Sequence, residues 1–490
     1  MAMRPRNGTT LSAARTDNTT MAWDSTPRNP DDLLKDLRVA VARSRNQCIN
    51  NDYAKSFLRK CVQNIVGESG VVLQARVRDA SGALQEAVND ALEAEFSAWG
   101  EAGNCDVTGM LSWLDVQETQ INHAAQDGEF FLQFVYGEDA GPYGFAVRLI
   151  DPQRCPPDLN IDNLPGGKFV RGGVEFNRFG RPLRYAFSFE QRNGSYAYTA
   201  ASLEWIPADQ IVHGFLRSDR IGLRRGIPWT NTALQRLYHL AGYDEAALVN
   251  VRVSASKMGF IEYDEGHGPE LDEDDELHVE VAPGVVQELP EGAHYKESSH
   301  AYPAGEHASF TKGQLRAASS GLGVPYEELS NDRESVNYSS IRQGQLDSRE
   351  HWKQLQGWFI RSLVSVVYER WLAYALLAQK VKVNGRPLRT ERLGDYKKVA
   401  WQGRRWTWID PKNEVEADVI AKNNGLKSPG QIIREQGKDP KTVWLETAAD
   451  IQSMKDAGLP DWFIQQTMGF KAQGGQSAPG GQGVATQINN

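Results

Sequence analysis

Few residues in this chain are placed to do chemistry. The acidic run Asp272, Glu273, Asp274, Asp275 and Glu276, with Asp264, Glu265 and His267 upstream, is dense enough in oxygen ligands to hold a divalent cation. It lacks the alternating ligand spacing and central glycine of an EF-hand, so a solvated face or docking surface is the simpler reading. Gly166-Gly167-Lys168 is the nearest approach to a phosphate-cradling P-loop, but Asp162 stands where the upstream glycine belongs and Phe169 replaces the hydroxyl residue. There is no Gly-x-Ser-x-Gly elbow and no His-Glu-x-x-His. The 9 histidines are scattered, none beside a Cys or Asp at catalytic spacing. Ser319-Ser320 and Ser339-Ser340 sit beside helix ends and read as caps, not nucleophiles. The 4 cysteines, Cys48, Cys61, Cys105 and Cys155, form no CxxC, which argues against a zinc ribbon or dense disulfide framework and fits a reducing compartment. The expectation is a protein without catalytic residues, metal site or cofactor.

Composition narrows the class further. A chain of 490 residues predicts several domains, and 40% hydrophobic with 24% charged residues is ordinary for globular proteins. Basic residues number 54 and acidic ones 63, a net charge of -9, so the overall basic surplus of a phosphate-gripping protein is absent. Residues 1–30 are polar, with no apolar signal-peptide core. The longest apolar stretch, Phe359 to Ala378, is broken by Arg361, Glu369 and Arg370, so no spanning helix is expected and the protein reads as soluble.

The elements that must position these residues follow from periodicity. Leu33, Leu34, Leu37 and Val41 begin a helical pattern after a flexible arm. Further helices are expected at about 53–66, 84–99 and 108–127. Short aromatic and β-branched runs then predict strands at 129–136, 145–150 and 211–216, and Val174–Phe187 reads as a hairpin with a five-residue loop at Asn177–Arg181. Helix returns from Asn231 to about Ser256, where Leu234, Leu237, Tyr238, Ala241, Leu248 and Val251 form a stripe. A helix at 309–322, a polar loop at 323–338 and a long helix at 339–379 follow. At 1.5 Å per residue the last would reach roughly 60 Å, which suggests a large assembly or a spine. The tryptophans near 352–371 fall at helical spacing and read as packing. Short helices fill 414–459, broken at Gly425, Gly437 and Pro440, and a Gly/Gln/Ser tail closes the chain.

Several segments, spread from about Val41 to Leu459, carry a family resemblance. They are Arg43-Ser44-Arg45 with Asn50 to Ala54, Asn64 to Gly67, Gly173 to Pro182, Arg225 to Trp229, Gly321 to Leu329 with Asn337 to Arg342, Trp408 to Glu414, and Gly425 to Ser428. In this order they resemble the lambda-type portal proteins of tailed bacteriophages. Cys155, where an aliphatic residue is expected, and the acidic 264–276 segment depart from that pattern.

The resemblance implies an α+β, multidomain portal fold forming a ring at one capsid vertex. Its parts would be a flexible arm (1–30), wing (31–230), stem helix (231–256), clip (257–306), second stem helix (307–322), tunnel loop (323–338), long helix and wing (339–400), crown (401–471) and flexible tail (472–490). The implied partners are further copies of the chain, usually in a dodecamer, double-stranded DNA in the channel, the terminase large subunit, major capsid and scaffold proteins, and head–tail connector proteins, with no membrane. The implied place is the virion, after assembly in the host bacterial cytoplasm. Asn331, Asp332, Arg333, Glu334, Asn337 and Tyr338 would then face DNA, and Asp272–Glu276 would dock terminase or connectors. A metal-dependent nuclease using the 264–276 carboxylates, or a non-portal structural ring, are the alternatives.

Overall fold

The computed structural model describes residues 21–22, 24–189, 198–217, 220–255, 259–264, 292–297, 307–334, 338–406 and 411–467. The chain divides into two compact units, one up to Arg404 and one from Arg405 onward. Both helices and sheets build the first unit, an α+β architecture.

It opens with α1 (Leu33–Asn50) and α2 (Asp52–Ile65). Between them the Asn51 side chain accepts from the Tyr53 and Ala54 amides, satisfying donors that a helix start leaves free. β1 (Val72–Ala75), α3 (Glu86–Trp99) and α4 (Trp113–Asp127) follow. The expected start of α4 at 108 is five residues early, because Ser112 and Asp115 form a capping box and set the start there. Gly128, at φ 89, stops α4 in the left-handed region that glycine adopts without strain.

The β-rich part comprises β2 (Glu129–Tyr136), β3 (Phe145–Ile150), β4 (Ile161–Leu164), β5 (Lys168–Arg171), β6 (Val174–Phe176), β7 (Pro182–Ser188), β8 (Leu203–Pro207) and β9 (Ile211–Phe215). β3-β2-β9 form one antiparallel sheet, and β4 to β8 form a five-stranded antiparallel meander. The β6–β7 hairpin turns through Asn177–Arg181, as its alternation predicts. Phe131, Ile150, Val174, Tyr185, Phe187 and Ile206 join the two sheets in one core.

α5 (Asn231–Ala255) packs against α6 (His307–Leu322), and the described strands between them, β10 (Gly259–Tyr263) and β11 (Ala293–Glu297), pair antiparallel. The α5 stripe does not stay on one buried face. Leu234 and Leu237 are buried, whereas Tyr238, Leu248 and Val251 are 64%, 60% and 43% exposed. The reason is that α6 is the main element laid along α5 among the described residues.

The loop expected at 323–338 contains a short helix, α7 (Tyr326–Ser330). α8 (Tyr338–Phe359) begins one residue before Ser339, so Ser339 and Ser340 stand inside its first turn and not at its cap. Ser319 and Ser320 likewise donate to carbonyls of the preceding turn, those of Leu315 and Arg316, within α6. The long helix has about the expected extent but is interrupted by a π-helical turn, Ile360–Val364, before α9 (Ser365–Leu377). Trp352 and Trp371 are buried, as packing residues should be. A small hairpin, β12 (Lys382–Val383) and β13 (Arg386–Pro387), leads through α10 (Leu393–Tyr396) to β14 (Val399–Gln402), which pairs with β1. Around Phe96, the rings of Trp99, Tyr368, Trp371 and Trp401 lie at 5.4, 5.4, 5.0 and 6.4 Å.

The second unit is helical: α11 (Pro411–Asn423), α12 (Pro429–Glu435), α13 (Pro440–Asp456) and α14 (Asp461–Thr467). Pro440 starts α13 under an Asp439 cap, since the first turn needs no amide hydrogen there. Among the described residues no helix is long and apolar enough to cross a membrane.

Candidate functional site

The segment after α6 was expected to be an open polar loop. Its fold is more constrained. Leu329 on α7 is buried and anchors the turn, and Asn331, at φ 57, ends α7 in the left-handed region. Asp332 then accepts from the Tyr326 hydroxyl at 2.7 Å and pairs with Lys312 of α6 at 2.9 Å. Lys312 and then Tyr326 hold its carboxyl down at about 2. Asp332 therefore works as a latch between α6 and α7, with its charge already matched. Arg333 and Glu334 remain exposed beyond it. Asn337 lies outside the described residues, and Tyr338 opens α8. The run Asp272–Glu276 also lies outside them. Among the described residues no group of three or more His, Cys, Asp or Glu is arranged to hold a metal ion.

A second cluster was not assigned from the sequence, although Ser44, Arg45, Arg225 and Gly226 belong to the family-like segments. Glu129 opens β2 and is buried with Arg225, whose Nε donates to its two oxygens at 2.8 and 2.9 Å. His213 of β9 reaches the same carboxylate at 2.9 Å, and the Gly226 amide donates to it at 3.0 Å. Arg225 also donates to the Cys155 carbonyl at 3.1 Å and to that of Gly172. Beside this lies a second pair set: Arg45 of α1 donates to both oxygens of Asp127 at 2.8 and 2.7 Å and to Asp151 at 2.7 Å. Ser44 bridges the Gln126 carbonyl and Thr230, which immediately precedes α5. The two backbones cross where two glycines face each other. A Cβ on Gly128 would lie 2.5 Å from the Ile227 nitrogen, and one on Gly226 would lie 2.8 Å from the Glu129 Cβ and closer still to the Gly128 carbonyl. The arrangement ties α1, α4, β2 and the root of α5 into one junction. The Arg45, Asp127, Asp151, Glu129 and Arg225 charges in it are each matched by another.

Electrostatics make this junction acid-sensitive. Burial raises the Glu129 carboxyl, but Arg225 and His213 outweigh it and hold it at about 2 against an ordinary 4.5. Burial pushes His213 below its ordinary 6.5 despite Glu129. Below 6.5 the unfolded chain therefore takes up a proton at His213 that the folded chain resists, and below 4.5 the same holds for Glu129. Both signs agree: stability present at neutral pH is lost on acidification. Urea midpoints measured from neutral pH down to about 4 should fall steadily. A flat or rising midpoint would show that the junction does not titrate in this way.

The family described as phage portal protein, lambda family, matches residues 16–356. The chain belongs to that family. A probable portal protein of Halomonas phage phiHAP-1 is 30% identical over 437 residues, covering 88% of this chain and 83% of the relative. Portal protein B of Escherichia phage lambda is 22% identical over 477 residues, covering 88% and 87%. A solved structure, the neck of a native GTA particle computed with C12 symmetry, is similar at 16% identity and a TM-score of 0.41, covering 82% of this chain and 94% of that one. Portal proteins are structural components, and the junction just described suits a structural part: it fixes where a long helix leaves the sheets. Nothing in its types and spacing marks it as a site from sequence, apart from Glu129 and His213 interrupting apolar strands.

Proposed function

We propose that the chain forms a homo-oligomeric ring, a dodecamer, at one vertex of the phage head, and that double-stranded DNA passes through it during packaging and ejection. The observation that carries this reading is the face of α5 that the described residues leave uncovered. Tyr238, Leu248, Val249 and Val251 are exposed along it, and exposed apolar surface of this kind is normally covered by a partner. In a closed ring the same two patches meet around the circle, so another copy of the chain supplies that cover. A net charge of -9 suits a conduit through which phosphates slide without being held. On this reading α5 and α6 are stem helices (231–256 and 307–322), residues 257–306 the clip, 31–230 and 339–400 the wing, 323–338 the tunnel loop, and 401–471 the crown. The protein acts as a non-enzymatic virion part, assembled in the host cytoplasm beside major capsid and scaffold proteins. Terminase large subunit and head–tail connectors dock on the clip, with Asp272–Glu276 as their contact surface. Calorimetric titration with Mg²⁺ or Mn²⁺ tests the nuclease alternative, which needs a site far tighter than about millimolar.

The exposed Arg333 and Glu334 form the DNA-facing tip, mounted on the Asp332–Lys312 latch. Replacing Asn331–Ser335 by a Gly/Ser linker should leave rings intact but reduce the DNA packaged or retained in a reconstituted system. Negative-stain images count the rings, and nuclease-protected DNA per particle measures the effect. Full-length DNA retained at parental levels would remove the loop from the mechanism.

A further inference from the structure

A cavity of about 560 Å³ opens beside the β6–β7 hairpin and the end of β9. That size falls within the roughly 300–1,000 Å³ typical of ligand pockets. Its floor is aromatic: Phe169 and Phe176 stack with centroids 5.6 Å apart, and Tyr185 lines the wall. Arg224 lies over both phenylalanine rings, at 4.8 and 4.7 Å, and is matched by Asp31 at 3.1 Å. Two more guanidinium groups line the same cavity. Arg178 and Arg217 rest on the rings of Phe179 and Phe215 at 4.5 and 4.7 Å, and neither has an ion-pair partner among the described residues. Phe179 is 79% exposed at the hairpin tip.

Gathering unmatched cations at one cavity costs electrostatic energy unless something anionic completes it. We infer that this cavity is a docking site for an acidic peptide segment of a partner protein. Its carboxylates meet Arg178 and Arg217, and one of its apolar side chains packs on the exposed Phe179 ring at the cavity's edge. Two observations favour a peptide over nucleic acid. Arginine with exposed aromatic rings is the composition of protein-interface anchors. A phosphate chain calls for cations strung along a groove, whereas here they converge on one cavity. The site is independent of the channel loop and of the acidic 272–276 run.

The test uses the full chain and a fluorescein-labelled peptide of repeated Phe-Asp-Glu, read by anisotropy at low salt. A Phe-Ser-Gln peptide of equal length and a single-stranded oligonucleotide serve as comparisons. The acidic peptide should bind, weaken with added salt, and lose about tenfold or more in affinity for the double substitution Arg178→Glu, Arg217→Glu. Both side chains are exposed, so the circular dichroism of that variant should match the parent. Should it fold poorly, Arg217→Gln alone should still weaken binding. Undiminished binding to either variant, equal binding of the uncharged peptide, or preference for the oligonucleotide would overturn the proposal.

Discussion

Arg225→Ala should cost about 3–5 kcal/mol of stability, because it leaves the Glu129 carboxylate buried with its principal cation removed. The change also deprives the Cys155 and Gly172 carbonyls of a donor. The variant should unfold at markedly lower urea and yield few rings, since the affected joint sets the root of α5. A companion substitution separates the charge from the packing. Arg225→Met with Glu129→Leu removes both charges at similar volume and should recover much of the loss. Recovery stays partial, because the carbonyls remain unserved and His213 loses its partner. A cost below about 1 kcal/mol for Arg225→Ala would mean that water enters the joint and solvates Glu129.

Gly226→Ala should be comparably damaging for a different reason. The added methyl meets backbone and a Cβ, the Gly128 carbonyl and Glu129, none of which can rotate away. Overpacking of that kind costs typically 1–3 kcal/mol, and roughly the upper end or beyond is expected where both sides are main chain. Gly242→Ala provides the control. It lies within α5, meets nothing within 4 Å, and should stabilise the helix by about 0.5–1 kcal/mol. Two glycine-to-alanine changes of opposite sign, measured by urea unfolding, test the crossing directly. Equal effects would show that the crossing opens readily.

Much of the local structure was legible because it rests on local signals. The helical spacing of Leu34, Leu37 and Val41, and the alternation flanking Asn177–Arg181, each sit within one short window. The β1–β14 pairing was not legible, since Val72 and Gln402 meet across most of the chain and nothing in either segment names the other. The charge junction was hidden for the same reason: Arg45 finds Asp127 and Asp151, and Glu129 finds Arg225, only after folding. The segments that hold Arg45 and Arg225 marked the family without revealing the physical task of those two residues. The Asp332–Lys312 pair was not legible either, because Lys312 stands twenty residues back on another helix. The α5 period reveals a stripe but not what covers it, so the exposure of Tyr238, Leu248 and Val251 was not legible.

The π-helical turn at Ile360–Val364 has a consequence for chain length. In an uninterrupted α-helix, eighteen residues complete about five turns, so the position directly above Trp352 would belong to Arg370. Arg370 is exposed, and the buried residue in that column is Trp371, nineteen positions on. The wide turn absorbs one supernumerary residue and keeps the two tryptophans in vertical alignment. It therefore acts as slack. Removing one residue from 360–364 lets the helix relax to ordinary winding with the tryptophans still aligned, whereas adding one there swings everything beyond it by about 100°.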